Sequence, residues 1–350
     1  MNLSAILHRS IAASALLVPV FAPNAQACSD FMLNTTTDSI VSGRTMDFAP
    51  DLSAVIEVIP RNTTFQELPV LNCADCPDYK WQSIYGFIGF NMFGVNVAPE
   101  GMNEKGLSAG TLYLEGTEYP KPSVAAATST TSPKPIVSTI SLGTYILGNF
   151  ATVDEVREGL SKVQIAEFDI RIGNYLGVSE ANLGSIPLHM SIHDANGKSL
   201  VIEFLKGQVV FYDNVNKVLT NEPALDKQLA GLEKNGFDTY PGGYNPIERF
   251  IRLSVLNHKA PLGYPGSASN ASYLVGTQEQ RVIADTLHIL NTVAAPPSYE
   301  ATQWSVVRDH GRKKVYVRTT TNQVLRQIDL SKFDFGNLAS RHAIPVGFGN

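Results

Sequence analysis

One stretch near the start constrains this chain more than any other: Ala25-Gln26-Ala27-Cys28-Ser29-Asp30-Phe31. Upstream of it Arg9 precedes an apolar run over residues 11–22, which gives way to a small-residue Ala-Gln-Ala exit, the pattern of a secretory leader cut after Ala27. The run is short for a membrane span, and Pro19 and Pro23 interrupt it. If residues 1–27 are a signal peptide and are removed, Cys28 becomes the first residue and carries a thiol and an α-amino group together. A free α-amine titrates at about 7.7–8.0 and a thiol at about 8.5, so at neutral pH the amine can take the thiol proton with little penalty. Such a residue is a nucleophile that brings its own base. The alternative is a lipoprotein, a lipid-anchored and non-catalytic binding protein whose Cys28 would be acylated and its amine blocked. Those sites usually carry Leu three residues before the cysteine, where this chain has Ala25.

The expected product is exported, periplasmic or secreted, with residues 28–350 as a single domain. Loss of Arg9 with the leader takes the formal net charge from −5 to −6, so nothing points to nucleic acid as a partner. No second stretch is long and apolar enough to suggest stable membrane insertion after processing. The three cysteines are Cys28, Cys73 and Cys76. In an oxidising compartment the close pair can form a small disulfide, which leaves Cys28 free. No His or Cys stands near enough in sequence to complete a recognisable zinc pattern around Cys73 and Cys76.

From Cys28 onward the chain alternates as strands do. Phe31 and Leu33 are apolar, residues 35–38 read as a hairpin turn, and residues 40–44 read as the returning strand. An antiparallel return over so short a loop places Arg44 or Asp47 close to Cys28. Arg44 can act as counter-charge to a thiolate and Asp47 can accept hydrogen bonds from the new amine, although a surface ion pair on a hairpin would show the same spacing. Residues 103–106 read as a turn before an apolar strand over 107–114. Residues 120–135, rich in Pro, Ser, Thr and Ala, read as a long surface loop bordering an acyl pocket. Residues 136–150 have helical apolar spacing, and Thr152-Val153-Asp154-Glu155 opens a helix towards Val163 with a capping box. A three-stranded meander is expected over 189–193, 200–205 and 209–212, with Asn196-Gly197 as its first turn. His193 beside Asp194 reads as a structural strand-end histidine, because neighbours in a strand face opposite ways. Residues 282–293 read as a helix, and 303–307 with 314–319 as two paired strands.

Cys28-Ser29-Asp30-Phe31 followed by Gly43-Arg44-Thr45-Met46-Asp47-Phe48 resembles the choloylglycine hydrolase and penicillin V acylase family of N-terminal nucleophile hydrolases. The likeness extends to Gly101-Met102-Asn103-Glu104-Lys105-Gly106-Leu107, to Thr220-Asn221-Glu222-Pro223, to Arg249-Phe250 and to Tyr316-Val317-Arg318-Thr319, and so covers the chain to about residue 335. It implies an α+β fold, the four-layer αββα sandwich. It implies Cys28 as nucleophile, Arg44 against its sulfur and Asp47 orienting its amine. The Tyr113 backbone N–H and the Asn221 amide would form the oxyanion hole, with Arg249 in the active site and Arg252 as the alternative in another register. Read without the resemblance, Asn221 is simply a turn residue.

The implied reaction is hydrolysis of a linear amide C–N bond in a small N-acyl amide, with no metal or organic cofactor. Tyr113, at a position where bile salt hydrolases tend to have Asn, tilts the expectation towards the Gram-negative acylase branch. Penicillin V and long-chain N-acyl homoserine lactones are then the leading substrates, the latter a quorum-quenching activity, and conjugated bile salts come third. A homo-oligomer, a tetramer in many relatives, is implied as well. A papain-like protease is a poorer match, because Cys28 opens a strand and not a helix.

Overall fold

The computed structural model describes residues 28–35, 39–48, 52, 54–73, 76–92, 97–123, 134–169, 186–260, 276–296, 302–338 and 342–346. The leader and residues 124–133 of the expected surface loop lie outside the described residues.

Two antiparallel sheets form the centre. The first has six strands, in the order Val218–Thr220, Ser29–Met32, Val41–Asp47, Thr302–Asp309, Lys314–Thr319 and Arg326–Asp329. The second has eight, in the order Gln208–Asp213, Ser199–Leu205, Leu188–His193, Ser108–Tyr113, Glu100–Asn103, Phe87–Asn91, Val55–Ile59 and His342–Pro345. Helices α1 (Leu142–Asn149) and α2 (Val153–Leu160) bury Leu142, Ile146 and Val156 in one cluster with Ala109, Ile192 and Ile202 of the eight-stranded sheet. Helices α3 (Leu225–Asn235), α4 (Pro246–Lys259) and α5 (Gln278–Asn291) belong to a second cluster, which joins Phe250, Leu253 and Leu290 with Phe31, Val41 and Val307 on the helix-facing side of the six-stranded sheet. Helices therefore cover both outer faces, and the architecture is an α+β sandwich of four layers.

Position 43 shows how closely the layers approach. A Cβ there would stand 2.9 Å from the Phe31 ring and 3.0 Å from Thr286 Cγ2 on α5, so only glycine fits. Because strand residues alternate, Val41, Gly43, Thr45 and Asp47 face the helices, whereas Ser42, Arg44 and Met46 face the other sheet. The helix starts follow the sequence: Thr152 accepts from Glu155 N–H, Asn245 precedes Pro246 and accepts from Glu248 N–H, and Thr277 forms a full capping box with Gln280.

The meander, the first hairpin and the 302–319 strand pair form as their alternation implies. Residues 136–150 do not form one helix. Ile136–Ser138 is a strand, paired in parallel with Gln164–Ala166, and α1 begins only at Leu142. Ile136 and Val137 are β-branched, and a short buried run gives periodicity no means of separating strand from helix. Cys73 and Cys76 are joined in a disulfide and Cys28 is free.

Candidate active site

The hairpin places Ser29 opposite Thr45 and Asp30 opposite Arg44, which brings Cys28, one residue before its strand, to Met46 and Asp47. Cys28 Sγ lies 3.5 Å from Asp47 N, 3.4 Å from Asp47 O and 3.8 Å from Met46 Sδ. Burial pushes the thiol up, and the nearby Asp47 carboxylate adds to that. The guanidinium charges of Arg44 and Arg249 oppose it.

Arg249 ties the site together from the second turn of α4. Its Nη1 donates to Cys28 O and to Ser29 Oγ, both at 2.6 Å, its Nη2 to Asn221 Oδ1 at 3.1 Å and its Nε to Tyr244 O at 2.8 Å. Burial lowers its pKa to about 10, so the side chain stays cationic at neutral pH. Arg252 is held elsewhere, donating to Thr292 O, Pro241 O and Gly243 O.

Two neighbours fix the orientation of the Asn221 amide. Arg249 can only donate, so the atom it meets is the carbonyl oxygen. Tyr113 O can only accept, and it takes one N–H of Asn221 Nδ2 at 3.1 Å. The second N–H of that nitrogen has no partner among the described residues. Tyr113 ends its strand opposite Leu188, and the Leu114 N–H donates to Pro187 O, so the 113/188 pair is of the non-hydrogen-bonded kind. The N–H and C=O of Tyr113 therefore turn together away from the 188–193 strand, to the side where Asn221 stands. Gln228 of α3 holds the Asn221 turn, donating to Asn221 O and to Pro223 O at 2.6 Å each.

Asp47 is fully buried. Its Oδ2 accepts from Thr45 Oγ1 at 3.0 Å. Its Oδ1 has no hydrogen-bond partner of acceptable geometry among the described residues, although the Thr302 hydroxyl lies near enough to favour the charged carboxylate. Burial outweighs Arg249, Thr302, Thr45 and Arg44 and raises the carboxyl to about 7.

Arg44 sits between the sheets. Its Nε donates to Glu100 Oε2 at 3.3 Å and its Nη2 to Thr111 O, and Nη1 stands 3.9 Å from Asp30 Oδ2. No hydrogen bond joins it to Cys28 Sγ among the described residues, and its influence there is that of a nearby charge. Arg308 closes the cluster on Asp30 at 3.1 Å and Glu100 at 3.0 Å, and Trp304 Nε1 donates to Glu100 at 2.9 Å. Burial alone would raise the Asp30 carboxyl, but Arg308, His193 and Arg44 hold it below the usual carboxylate range.

Ser191, His193 and Asp30 have the composition of a serine triad but not its geometry. Ser191 Oγ and Asp30 Oδ1 share one imidazole nitrogen, at 3.1 and 2.6 Å, so no proton can be relayed across the ring, and all three residues are fully buried. Asp194 serves instead as a cap, accepting from Val153 N–H at 3.0 Å.

Residues 28–341 match the family model described as linear amide C–N hydrolases, choloylglycine hydrolase family. The chain belongs to that family. A penicillin V acylase from Pectobacterium atrosepticum is 28% identical over 317 residues, covering 85% of this chain and 79% of the relative. A bile salt hydrolase/transferase from Clostridium perfringens is 25% identical over 342 residues, covering 87% and 93%. The solved penicillin V acylase from Agrobacterium tumefaciens superposes with a TM-score of 0.70 at 26% identity, over 91% of this chain and 92% of that one. The chain is thus a hydrolase of linear amide C–N bonds.

In this choloylglycine hydrolase family member the sequence motifs had pointed to Cys28, Arg44, Asp47, Tyr113, Asn221 and Arg249, but not to the groups that hold them. Ser29 and Thr45 lie within the motifs and share strand faces with the site, which was their only signal. Glu100 and Gln228 lie outside the motifs and carried no local signal.

Proposed function

We propose that the chain is exported, cut after Ala27, and acts as a penicillin V acylase-like amidase whose Cys28 attacks the carbonyl of an N-acyl amide. The observation that supports this reading is the run of hydrogen bonds from the Cys28 carbonyl through Arg249 and Asn221 to Tyr113, which ties the residue bearing the thiol to the two proposed oxyanion donors. In the processed chain the α-amine takes the thiol proton as sulfur attacks. The free Asn221 N–H and the Tyr113 N–H receive the developing oxyanion, and the amine then returns the proton to the leaving nitrogen. Water hydrolyses the resulting thioester by the same route. In the unprocessed chain Cys28 N is a peptide nitrogen and cannot perform these transfers.

Penicillin V and long-chain N-acyl homoserine lactones are the first substrates proposed, and hydrolysis of the latter would make the enzyme a quencher of such signals. The likeness to the Clostridium perfringens enzyme keeps conjugated bile salts as the second reading. A homo-oligomer is proposed with the same activity. The test is intact mass and N-terminal sequencing of the exported protein, followed by turnover of these three substrate classes. A free Cys28 amine with release of the amine product supports the proposal. A lipid-modified Cys28, or a mature chain starting elsewhere, refutes it.

A further inference from the structure

We propose that Thr45 is a positioning residue that holds Asp47 by its Oδ2 and leaves Oδ1 for the α-amino group of Cys28. This rests on the amidase reading above.

The Thr45 hydroxyl is fully buried and has both its neighbours assigned by geometry. The Ser29 N–H donates to Oγ1 at 3.1 Å, and Oγ1 in turn lies 3.0 Å from Asp47 Oδ2. Since the peptide N–H can only donate, it occupies an acceptor lone pair of the hydroxyl, and the hydroxyl proton is directed to the carboxylate. A carboxylate oxygen that receives this proton is stabilised in its charged form. Asp47 Oδ1 then remains as a buried acceptor without a partner of acceptable geometry, on the residue whose backbone already touches Cys28 Sγ on both sides. Within the processed chain the group that cleavage would create at this place is the Cys28 ammonium, a donor with positive charge. Thr45 is β-branched and sits in a paired strand, opposite Ser29 on one side and Ser305 on the other, so its side chain has little freedom to leave this arrangement.

The groups facing Asp47 are few. Arg249 approaches from α4, Thr302 from the neighbouring strand, Cys28 from the strand start, and Arg44 acts from the opposite face of Asp47's own strand. None of these changes charge between pH 5 and 7 except the Cys28 end itself, so loss of the Thr45 hydroxyl should appear as a movement of one ionisation.

The experiment uses the exported protein beginning at Cys28, as wild type, Thr45→Val and Thr45→Ser, with penicillin V as probe. Thr45→Val should move the acid limb of kcat/KM upward by about one pH unit, the order expected for loss of one hydrogen bond to a charged group. Thr45→Ser, which keeps the hydroxyl, should return the limb to the wild-type position. Should the valine variant fail to fold, Thr45→Ala takes its place with the same expected shift. A uniform loss of rate with an unmoved limb, or a serine variant that behaves like valine, overturns the proposal. Alkylation of Cys28 by iodoacetamide needs no amide and separates this proposal from the functional reading. In Thr45→Val the inflection that Asp47 ionisation imposes on its pH profile should move upward together with the acid limb, because the same carboxyl opposes the thiolate only once it is charged. A wild type that hydrolyses no N-acyl amide defeats the amidase reading, and superimposable alkylation profiles defeat the Thr45 proposal.

Discussion

Asp47 makes a prediction about stability that can be worked through before any substrate is known. Its carboxyl titrates at about 7 with Cys28 N in a peptide bond, against about 3.9 for an unfolded aspartate. A folded-state value above the unfolded one gives stability that is fully present below about pH 4 and is lost as pH rises through 7. Between pH 5 and 7 the loss is about 1.7 units, or about 2.3 kcal/mol, since the folded carboxyl is itself half ionised at 7. His310 hides this in a raw pH profile. Burial, with help from His193, holds it near 3, so its penalty fades as pH rises from about 3 to 6.5, and it returns about 2 kcal/mol between pH 5 and 6.5. The informative quantity is therefore the difference between the wild type and Asp47→Asn, in which His310 cancels. In a chain beginning at Pro23, urea denaturation should find Asp47→Asn gaining about 2–3 kcal/mol on the wild type between pH 5 and 7.5. In a chain beginning at Cys28 the gain should shrink to under about 1 kcal/mol, because the freed ammonium restores the charged carboxylate. Equal gains in the two chains would refute the placement of the amine at Asp47, and no gain in either would refute the buried, ionisable Asp47 itself.

Further outcomes follow from the same geometry. Cys28→Ser should fold with an unchanged melting temperature and lose turnover by on the order of 10³ or more, since a hydroxyl is the weaker nucleophile at neutral pH; near-normal hydrolysis would remove Cys28 from the mechanism. Asn221→Ala should lower kcat by about 10²–10³ and change KM far less, because its free N–H serves only the developing charge; steady-state kinetics on a slow amide reads this directly. Glu100→Gln leaves Arg44 and Arg308 with one buried counter-charge fewer and should cost about 3–5 kcal/mol in urea unfolding, whereas Lys162→Ala, removing an exposed partner of Glu158 on α2, should leave the urea midpoint where it is in the wild type.

Why some of this was legible in the sequence and some was not comes down to parity. The run Gly43-Arg44-Thr45-Met46-Asp47 reads as one motif, but a strand sends its odd and even residues to different layers. Gly43, Thr45 and Asp47 belong to the helix side, where Gly43 lets α5 come close and Asp47 feels the charge of Arg249. Arg44 and Met46 belong to the layer between the sheets, and there Arg44 is claimed by Glu100, Thr111 O and Asp30. Spacing from Cys28 could bring both Arg44 and Asp47 near the sulfur, and it did. It could not say that Arg44 is taken up by partners from another sheet, since those lie 56 and 67 residues away and carry no local signal. The same limit turned Ile136–Ser138 from expected helix into strand: its one partner strand, Gln164–Ala166, lies beyond two helices in the chain, and three buried residues in a row show no alternation. Cys28 stands one residue before its strand, with the Met46 side chain and the Asp47 backbone against its sulfur. A register slip of one residue in the 41–47 strand would exchange its two faces, putting the Arg44 charge on the helix side and the Asp47 carboxylate into the cluster that Glu100 and Asp30 already make acidic. The hairpin register is thus held by charge as well as by apolar burial, and the chemistry at Cys28 depends on both.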